Sequence, residues 1–182
     1  MAESETHYSL PAPVFDTPVR ILIVRSPYYK DISDQQLIGA RAACKASKAS
    51  YEIVEVPGAL EIPTTIALAM KSGRFDGYVA LGCVIRGETT HYDTVCNDSS
   101  RGLTLLGLQG ACIGNGILTV ETLEQAQVRA EAAGQNKGGG AAVAALHLVA
   151  LARKFGHRSE TFAPSSEHIK IAGESAAQEN FS

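Results

Sequence analysis

Tyr78-Val79-Ala80-Leu81-Gly82-Cys83-Val84-Ile85 holds no charged or amide side chain. A strand with one wet face alternates apolar and polar residues. A run that is apolar throughout is buried on both faces, which is the situation of a parallel sheet covered by helices. The neighbouring segments point the same way. Val19 to Val24 is a second apolar run, broken only by Arg20. Tyr51 to Val56 alternates at first and stops at Pro57-Gly58. Ala111 to Thr119 is a fourth strand, interrupted by Gly114 and Gly116.

Helical patterns fill the gaps. Ser33 is placed to cap a helix over Asp34–Ala46, with Leu37, Ile38, Ala40 and Cys44 near one face. A second helix is expected over Ile62–Lys71, with Pro63 in its first turn and Gly73 ending it. A third runs from Thr90 to Leu108, stopped by Gly110. Thr122-Leu123-Glu124-Gln125 is a capping box that opens a helix to Ala133, with Gly134 after it. Asn136-Lys137-Gly138-Gly139-Gly140 reads as a Gly-rich turn into a long helix over Ala141–Phe155, closed by Gly156. It resembles a phosphate cradle but lacks the spacing and the Lys-Ser/Thr ending of a P-loop. The order βαβαβαβαα predicts one α/β domain over residues 18–156, a three-layer sandwich with a four-stranded parallel sheet and helices on both faces. Residues 1–17, polar and Pro-bearing, are expected to form a flexible N-terminal arm, and residues 157–182 a polar, disordered C-terminal tail.

Composition narrows the function. The chain of 182 residues is 45% hydrophobic with a formal net charge of −3, so no basic surplus favours nucleic acid. No apolar run reaches the roughly 20 residues that cross a bilayer. The first ten residues hold two Glu and no apolar signal core, so a cytoplasmic protein is expected. No pair of its four cysteines has CxxC spacing, which argues against a zinc or redox motif. Cys44, Cys83 and Cys112 fall in apolar segments and read as buried free thiols.

In a parallel sheet the carboxyl ends of the strands share one edge, where ligand crevices form. Four loops converge there: residues 25–29, 57–61, 86–91 and 119–121. Tyr28 offers an aromatic face for a flat ligand. Glu61 can accept hydrogen bonds from a ligand N–H or O–H. Thr89 and Thr90 bring hydroxyls to a helix N-terminus, which suits an anion. His91 is the residue type whose ordinary pKa lies near neutrality, hence a proton carrier. Taken alone, Arg129 reads as a solvated helix charge, and His147 as a packed or solvated helix residue.

Four motifs together carry a resemblance. They are Val56-Pro57-Gly58-Ala59-Leu60-Glu61-Ile62-Pro63, Gly82 through Asp93, Gly116-Ile117-Leu118-Thr119-Val120-Glu121 and Asn136-Lys137-Gly138-Gly139. In order and spacing they resemble the successive signatures of lumazine synthases, from about Val19 to Phe155. The resemblance implies a flavodoxin-like fold. It also implies a transferase of riboflavin biosynthesis that condenses 5-amino-6-ribitylaminouracil with 3,4-dihydroxy-2-butanone 4-phosphate. The product is 6,7-dimethyl-8-ribityllumazine; water and phosphate leave, and no cofactor or metal is used. A flavodoxin-type electron carrier is disfavoured, because the loop after the first strand is Ser26-Pro27-Tyr28-Tyr29 and lacks a Ser/Thr-rich phosphate loop.

By the same resemblance, His91 is the proton shuttle. Arg129 binds the phosphate, with Thr89 and the Gly87–Glu88 backbone beside it. Lys137 reaches a neighbouring subunit's site. Ala59, Leu60 and Glu61 line the ribityl and pyrimidine pocket, with Cys83, Val84 and Ile85 along the ring and Tyr28 stacking on it. Three positions depart from the family's usual residues. Tyr28 stands where Phe or Trp is common, Asn115 where a Phe walls the neighbour's side of the ring, and Glu88 where Ala or Gln is common. The implied assembly is a homopentamer. Pro11, Pro13 and Pro18 weaken strand addition by the arm. The turn Glu131-Ala132-Ala133-Gly134-Gln135 lacks the basic residue of shell-forming relatives. A pentamer or a pair of pentamers is therefore expected rather than a sixty-subunit shell.

Overall fold

The computed structural model describes residues 10–156. Its elements are β1 (Arg20–Arg25), α1 (Lys30–Ala46), β2 (Ser50–Glu55), α2 (Glu61–Met70), β3 (Gly77–Ile85), α3 (His91–Leu108), β4 (Ile113–Val120), α4 (Leu123–Ala130) and α5 (Lys137–Gly156). The four strands pair parallel in the order β2-β1-β3-β4. The register sets Ile23 opposite Ile53, Leu22 opposite Tyr78 and Leu81 opposite Gly116.

The two-residue period of a strand sends successive side chains to opposite faces. Ile21 and Ile23 of β1, with Val79 and Leu81 of β3, enter a core with Ala40 and Cys44 of α1 and Ala142, Ala145, Leu146 and Val149 of α5. Leu22, Val24, Tyr78 and Ala80 point the other way, onto Ile62 and Ile66 of α2 and Leu103 of α3. A third cluster, with Ile32, Cys83, Leu118, Val120, Ala126 and Ala130, packs around α4. The expected flavodoxin-like sandwich, a four-stranded parallel sheet with helices on both faces, is the fold observed.

Several boundaries differ from the sequence expectation. The first helix starts at Lys30, four residues before Asp34. Ser33 lies inside it, its amide bonded to the Tyr29 carbonyl at 2.9 Å and its hydroxyl buried without a partner. Charge rather than a cap holds this start: Lys30 pairs with Asp34 one turn on, and Arg25 reaches the same carboxylate at 2.8 Å. The fourth helix ends at Ala130 instead of Ala133, where the chain turns away and the Ala132 amide donates to Gln35 Oε1. Gly73 and Gly110 do end their helices, at φ +61° and +98°, conformations that glycine adopts without penalty.

The largest difference is at α5. The Gly-rich stretch is not a turn: the helix begins at Lys137, with Asn136 Oδ1 accepting from the Gly139 amide at 3.0 Å. Gly138 and Gly139 exist for close packing. A Cβ on Gly138 would lie 2.2 Å from the Gln36 carbonyl oxygen of α1, and one on Gly139 would run into the Asn136 amide. Gly39 of α1 faces the same crossing. Replacing Gly138 by alanine should therefore force α1 and α5 apart and destabilise the protein by about 3 kcal/mol, the upper end for overpacking. Denaturation midpoints at one fixed protein concentration check this; an unchanged midpoint would refute the packing role.

The last residues of the expected flexible arm are held. Phe15 is buried, its amide donates to the Ser47 carbonyl, and Arg153 donates to Thr17 Oγ1 and to the Pro18 carbonyl. The remainder of the arm, residues 1–9, and the expected tail, residues 157–182, lie outside the described residues. Among the described residues no helix is long and apolar enough to cross a membrane.

Candidate active site

From β1 the chain crosses to β2 on one side, while β3 and β4 extend the sheet on the other. The order reverses between β1 and β3. Loops leaving two strands in opposite directions open a crevice at such a point. A hollow of about 370 Å³ lies there.

Three loops build it. After β1 come Ser26, Tyr28 and Tyr29; after β2, Gly58, Ala59, Leu60 and Glu61; at the end of β3, Cys83, Val84 and Ile85, followed by Gly87, Thr89, His91, Tyr92 and Val95. Ser26 joins the first two loops, its hydroxyl donating to the Pro57 carbonyl at 3.3 Å. Tyr28 is 75% exposed and meets Tyr29 edge to face at 5.1 Å between centroids. An exposed ring propped at right angles by a second ring is a surface for a planar ligand. Glu61 begins α2, so the helix dipole stabilises its carboxylate there.

His91 begins α3 and is exposed. Its imidazole makes no hydrogen bond to another described side chain or carbonyl, so both nitrogens are free to meet a ligand. Cys83 forms part of the floor. Burial pushes its thiol up to about 11, so at neutral pH it is an uncharged apolar surface rather than a nucleophile. Cys44 is likewise raised to about 11 by burial. Cys112 is also a buried free thiol, whereas Cys96 is only half-buried. Among the described residues no group of three His, Cys, Asp or Glu side chains is gathered as for a metal ion.

Of the residues expected to act together, Tyr28, Ala59, Leu60, Glu61, Cys83, Val84, Ile85, Gly87, Thr89 and His91 share this hollow. Glu88 does not line it, although it sits between two residues that do. Asn115, Arg129 and Lys137 are elsewhere. They line a second hollow of about 360 Å³, beyond the outer edge of the sheet, with Gly116, Thr119, Gly140 and Ala144. The two hollows share no lining residue. Arg129 is therefore not beside Thr89 and Gly87 within one chain. The sheet explains the separation: β4 is the edge strand, and α4 and the start of α5 bring their cations to its far side.

The second hollow is cationic. Among the described residues neither Arg129 nor Lys137 has a carboxylate partner, and Arg129 Nη1 only donates weakly to the Gln125 carbonyl at 3.3 Å. Asn115 Oδ1 accepts from the Ile117 amide at 3.0 Å, closing part of an edge that would otherwise be open for pairing. Sequence reasoning did not single out Ser26, Tyr29, Gly58, Tyr92 or Val95, which also line the His91 hollow. Val95 follows His91 at i+4 and shares its helix face, a signal that helical spacing offers once α3 starts at His91; Tyr92 at i+1 carries no such signal.

Comparison with known proteins agrees with this architecture. The profile of the 6,7-dimethyl-8-ribityllumazine synthase family matches residues 18–153. A protein of that name from Jannaschia sp. (strain CCS1) is 58% identical over 144 residues, which cover 79% of this chain and 81% of the relative. One from Sphingopyxis alaskensis is 55% identical over 136 residues, 75% of this chain and 96% of the relative. One from Bartonella henselae is 52% identical over 141 residues, 76% of this chain and 91% of the relative. A match that spans all four strands and both hollows, at more than half identity, leaves one conclusion: the chain belongs to the 6,7-dimethyl-8-ribityllumazine synthase family.

Proposed function

We propose that this protein is a cytoplasmic transferase of riboflavin biosynthesis. It condenses 5-amino-6-ribitylaminouracil with 3,4-dihydroxy-2-butanone 4-phosphate to 6,7-dimethyl-8-ribityllumazine, releasing water and phosphate. The observation that carries this reading is the pairing of a proton-carrying hollow with a cationic one in a chain of this family.

The chemistry asks for little from the protein. One substrate brings an amine nucleophile and the other a ketone, so the site must hold them together and move protons. Tyr28 stacks on the uracil ring, and Ala59, Leu60 and Glu61 receive the ring edge and ribityl chain. Cys83, Val84 and Ile85 wall the ring on its inner side. The amine attacks the ketone carbon, and loss of water leaves an imine. Elimination then expels the phosphate and leaves an enol that becomes a ketone. The ribitylamino nitrogen attacks that carbonyl, and loss of a second water closes the ring and completes the product. His91 takes and returns the protons in these steps. Arg129 holds the phosphate dianion through its planar fork, supported by Gly87 and Thr89 of the opposing surface. Glu88 stands in the same loop but does not line the hollow, so its carboxylate is not part of the surface that receives that anion.

In this reading the two hollows meet across a subunit boundary, Asn115, Arg129 and Lys137 of one copy closing the His91 hollow of the next. The working unit is a homopentamer or a pair of pentamers. Pro11, Pro13 and Pro18 cannot donate to a sheet ladder, and the Phe15 amide is already taken by Ser47, which disfavours arm pairing into a larger shell. The test joins turnover to mass. Purified protein given both substrates should form the lumazine and inorganic phosphate in equal amounts. Light scattering should report five or ten chains of 19.2 kDa. Absence of product from folded, assembled protein would sink the reaction, and a mass of a single chain would sink the shared site.

A further inference from the structure

We infer that Arg86 is a positioning residue for His91, acting as a latch between the first turn of α3 and the start of α4. The inference rests on the proposed proton-shuttling role of His91.

The first turn of α3 has no conventional anchor. Thr90 precedes it in helical geometry and makes no side-chain cap bond. The His91 imidazole has no partner of its own among the described residues, so its position is whatever the backbone of this turn dictates. Arg86 supplies the missing constraint. Its guanidinium carbon lies 4.1 Å from the centroid of the Tyr92 ring, a close cation–π stack. Its Nη1 donates to Asp93 Oδ1 at 3.4 Å, and its Nε donates to Glu121 Oε2 at 2.7 Å. One planar group thus touches both residues that follow His91 and a carboxylate beyond the end of β4.

The far end of the latch is itself fixed. The Arg86 amide donates to the Val120 carbonyl at 3.0 Å, and the Glu121 amide donates to Gln125 Oε1 at 2.9 Å inside the first turn of α4. Helix α4 carries Arg129. Arg86 therefore ties the residue that moves protons to the element that bears the cation of the second hollow. An isolated exposed ion pair adds little to stability. A guanidinium held by two carboxylates and a ring face is different, because it restricts orientation, and orientation is what catalysis loses when a turn drifts. Arg86 lines neither hollow, so it meets no substrate directly.

Arg86→Lys keeps a positive charge near Glu121 but loses the fork and the stacking plane. In the assembled protein, kcat should fall about tenfold while KM for each substrate changes less than about threefold. Because the latch acts through His91, the same substitution in a His91→Ala background should cost no further activity. Hydrogen exchange provides a readout independent of turnover. The Asp93 and Thr94 amides, which bond the Thr90 carbonyl, should exchange about tenfold faster in Arg86→Lys, with α5 unchanged. Should Arg86→Lys fail to assemble, Glu121→Gln cuts the other end of the latch and should give the same pattern. Equal slowing with and without His91, or unchanged exchange of the two amides, would overturn the inference. If unaltered protein makes no lumazine, the proposed reaction fails instead, and the exchange measurement alone still decides whether the latch exists.

Discussion

Replacing His91 by alanine should slow lumazine formation by about a hundredfold and leave the fold intact. General acid–base groups contribute about a hundred- to ten-thousand-fold, and the low end applies here because the substrates carry their own amine and carbonyl. Stability should hold because the side chain is exposed and no described group loses a hydrogen-bond partner when it goes. Surface substitutions of this kind usually stay within about 0.5 kcal/mol. The loss should appear in kcat more than in either KM, since His91 is assigned proton movement rather than holding. Steady-state kinetics with each substrate varied in turn, beside thermal midpoints of the two proteins, makes the comparison. Turnover at the unaltered rate in a well-folded variant would remove His91 from the chemistry.

What could be read from the amino-acid order depended on how local the cause was. The run Tyr78–Ile85 declared its own strand, because burial on both faces leaves no charged or amide side chain in the segment. Gly73 and Gly110 declared helix ends through backbone freedom, again a local property. The start of α1 was misplaced because its determinants are not local. Asp34 is held by Arg25 from the preceding strand as well as by Lys30, and that charge arrangement outweighs the capping preference of Ser33. Gly138 and Gly139 misled in the same way. Glycines before a helix resemble a turn or a phosphate cradle. Here they answer to the Gln36 backbone of a helix some hundred residues earlier in the chain, which only the folded chain brings within reach.

The site divides similarly. Ten of the expected contact residues fall in one hollow because they lie at the carboxyl ends of adjacent strands, a geometry that strand order already implies. The placement of Arg129 was not legible, since it depends on β4 being the edge strand. Arg86 was visible only as part of a motif. Its role comes from the side chains of Tyr92, Asp93 and Glu121 meeting on one guanidinium, which spacing does not reveal.

That division into two hollows leads to the most demanding prediction. If Asn115, Arg129 and Lys137 of one copy complete the His91 hollow of the next, a defect in either half should be repairable by a neighbour. His91→Ala and Arg129→Ala proteins, each nearly inactive alone, should regain activity when unfolded together and reassembled. In a cyclic ring every boundary joins one surface of a subunit to the other surface of its neighbour. After random mixing in equal amounts, a boundary is intact only when an Arg129→Ala chain supplies the His91 side and a His91→Ala chain supplies the Arg129 side. Each choice has even odds, so about a quarter of the boundaries should be whole, and turnover should return to about a quarter of the unaltered rate. Against a background near one hundredth, that is a gain of about twenty-five-fold. A chain that carries both substitutions, mixed with unaltered protein, is the control. It should fall from the half that dilution alone leaves to the same quarter of intact boundaries, since both sides of a boundary must then come from unaltered chains. Mixing without any gain, in assemblies shown by mass to contain both chains, would mean that Arg129 of one copy does not complete the His91 hollow of the next and that the shared-site reading is wrong.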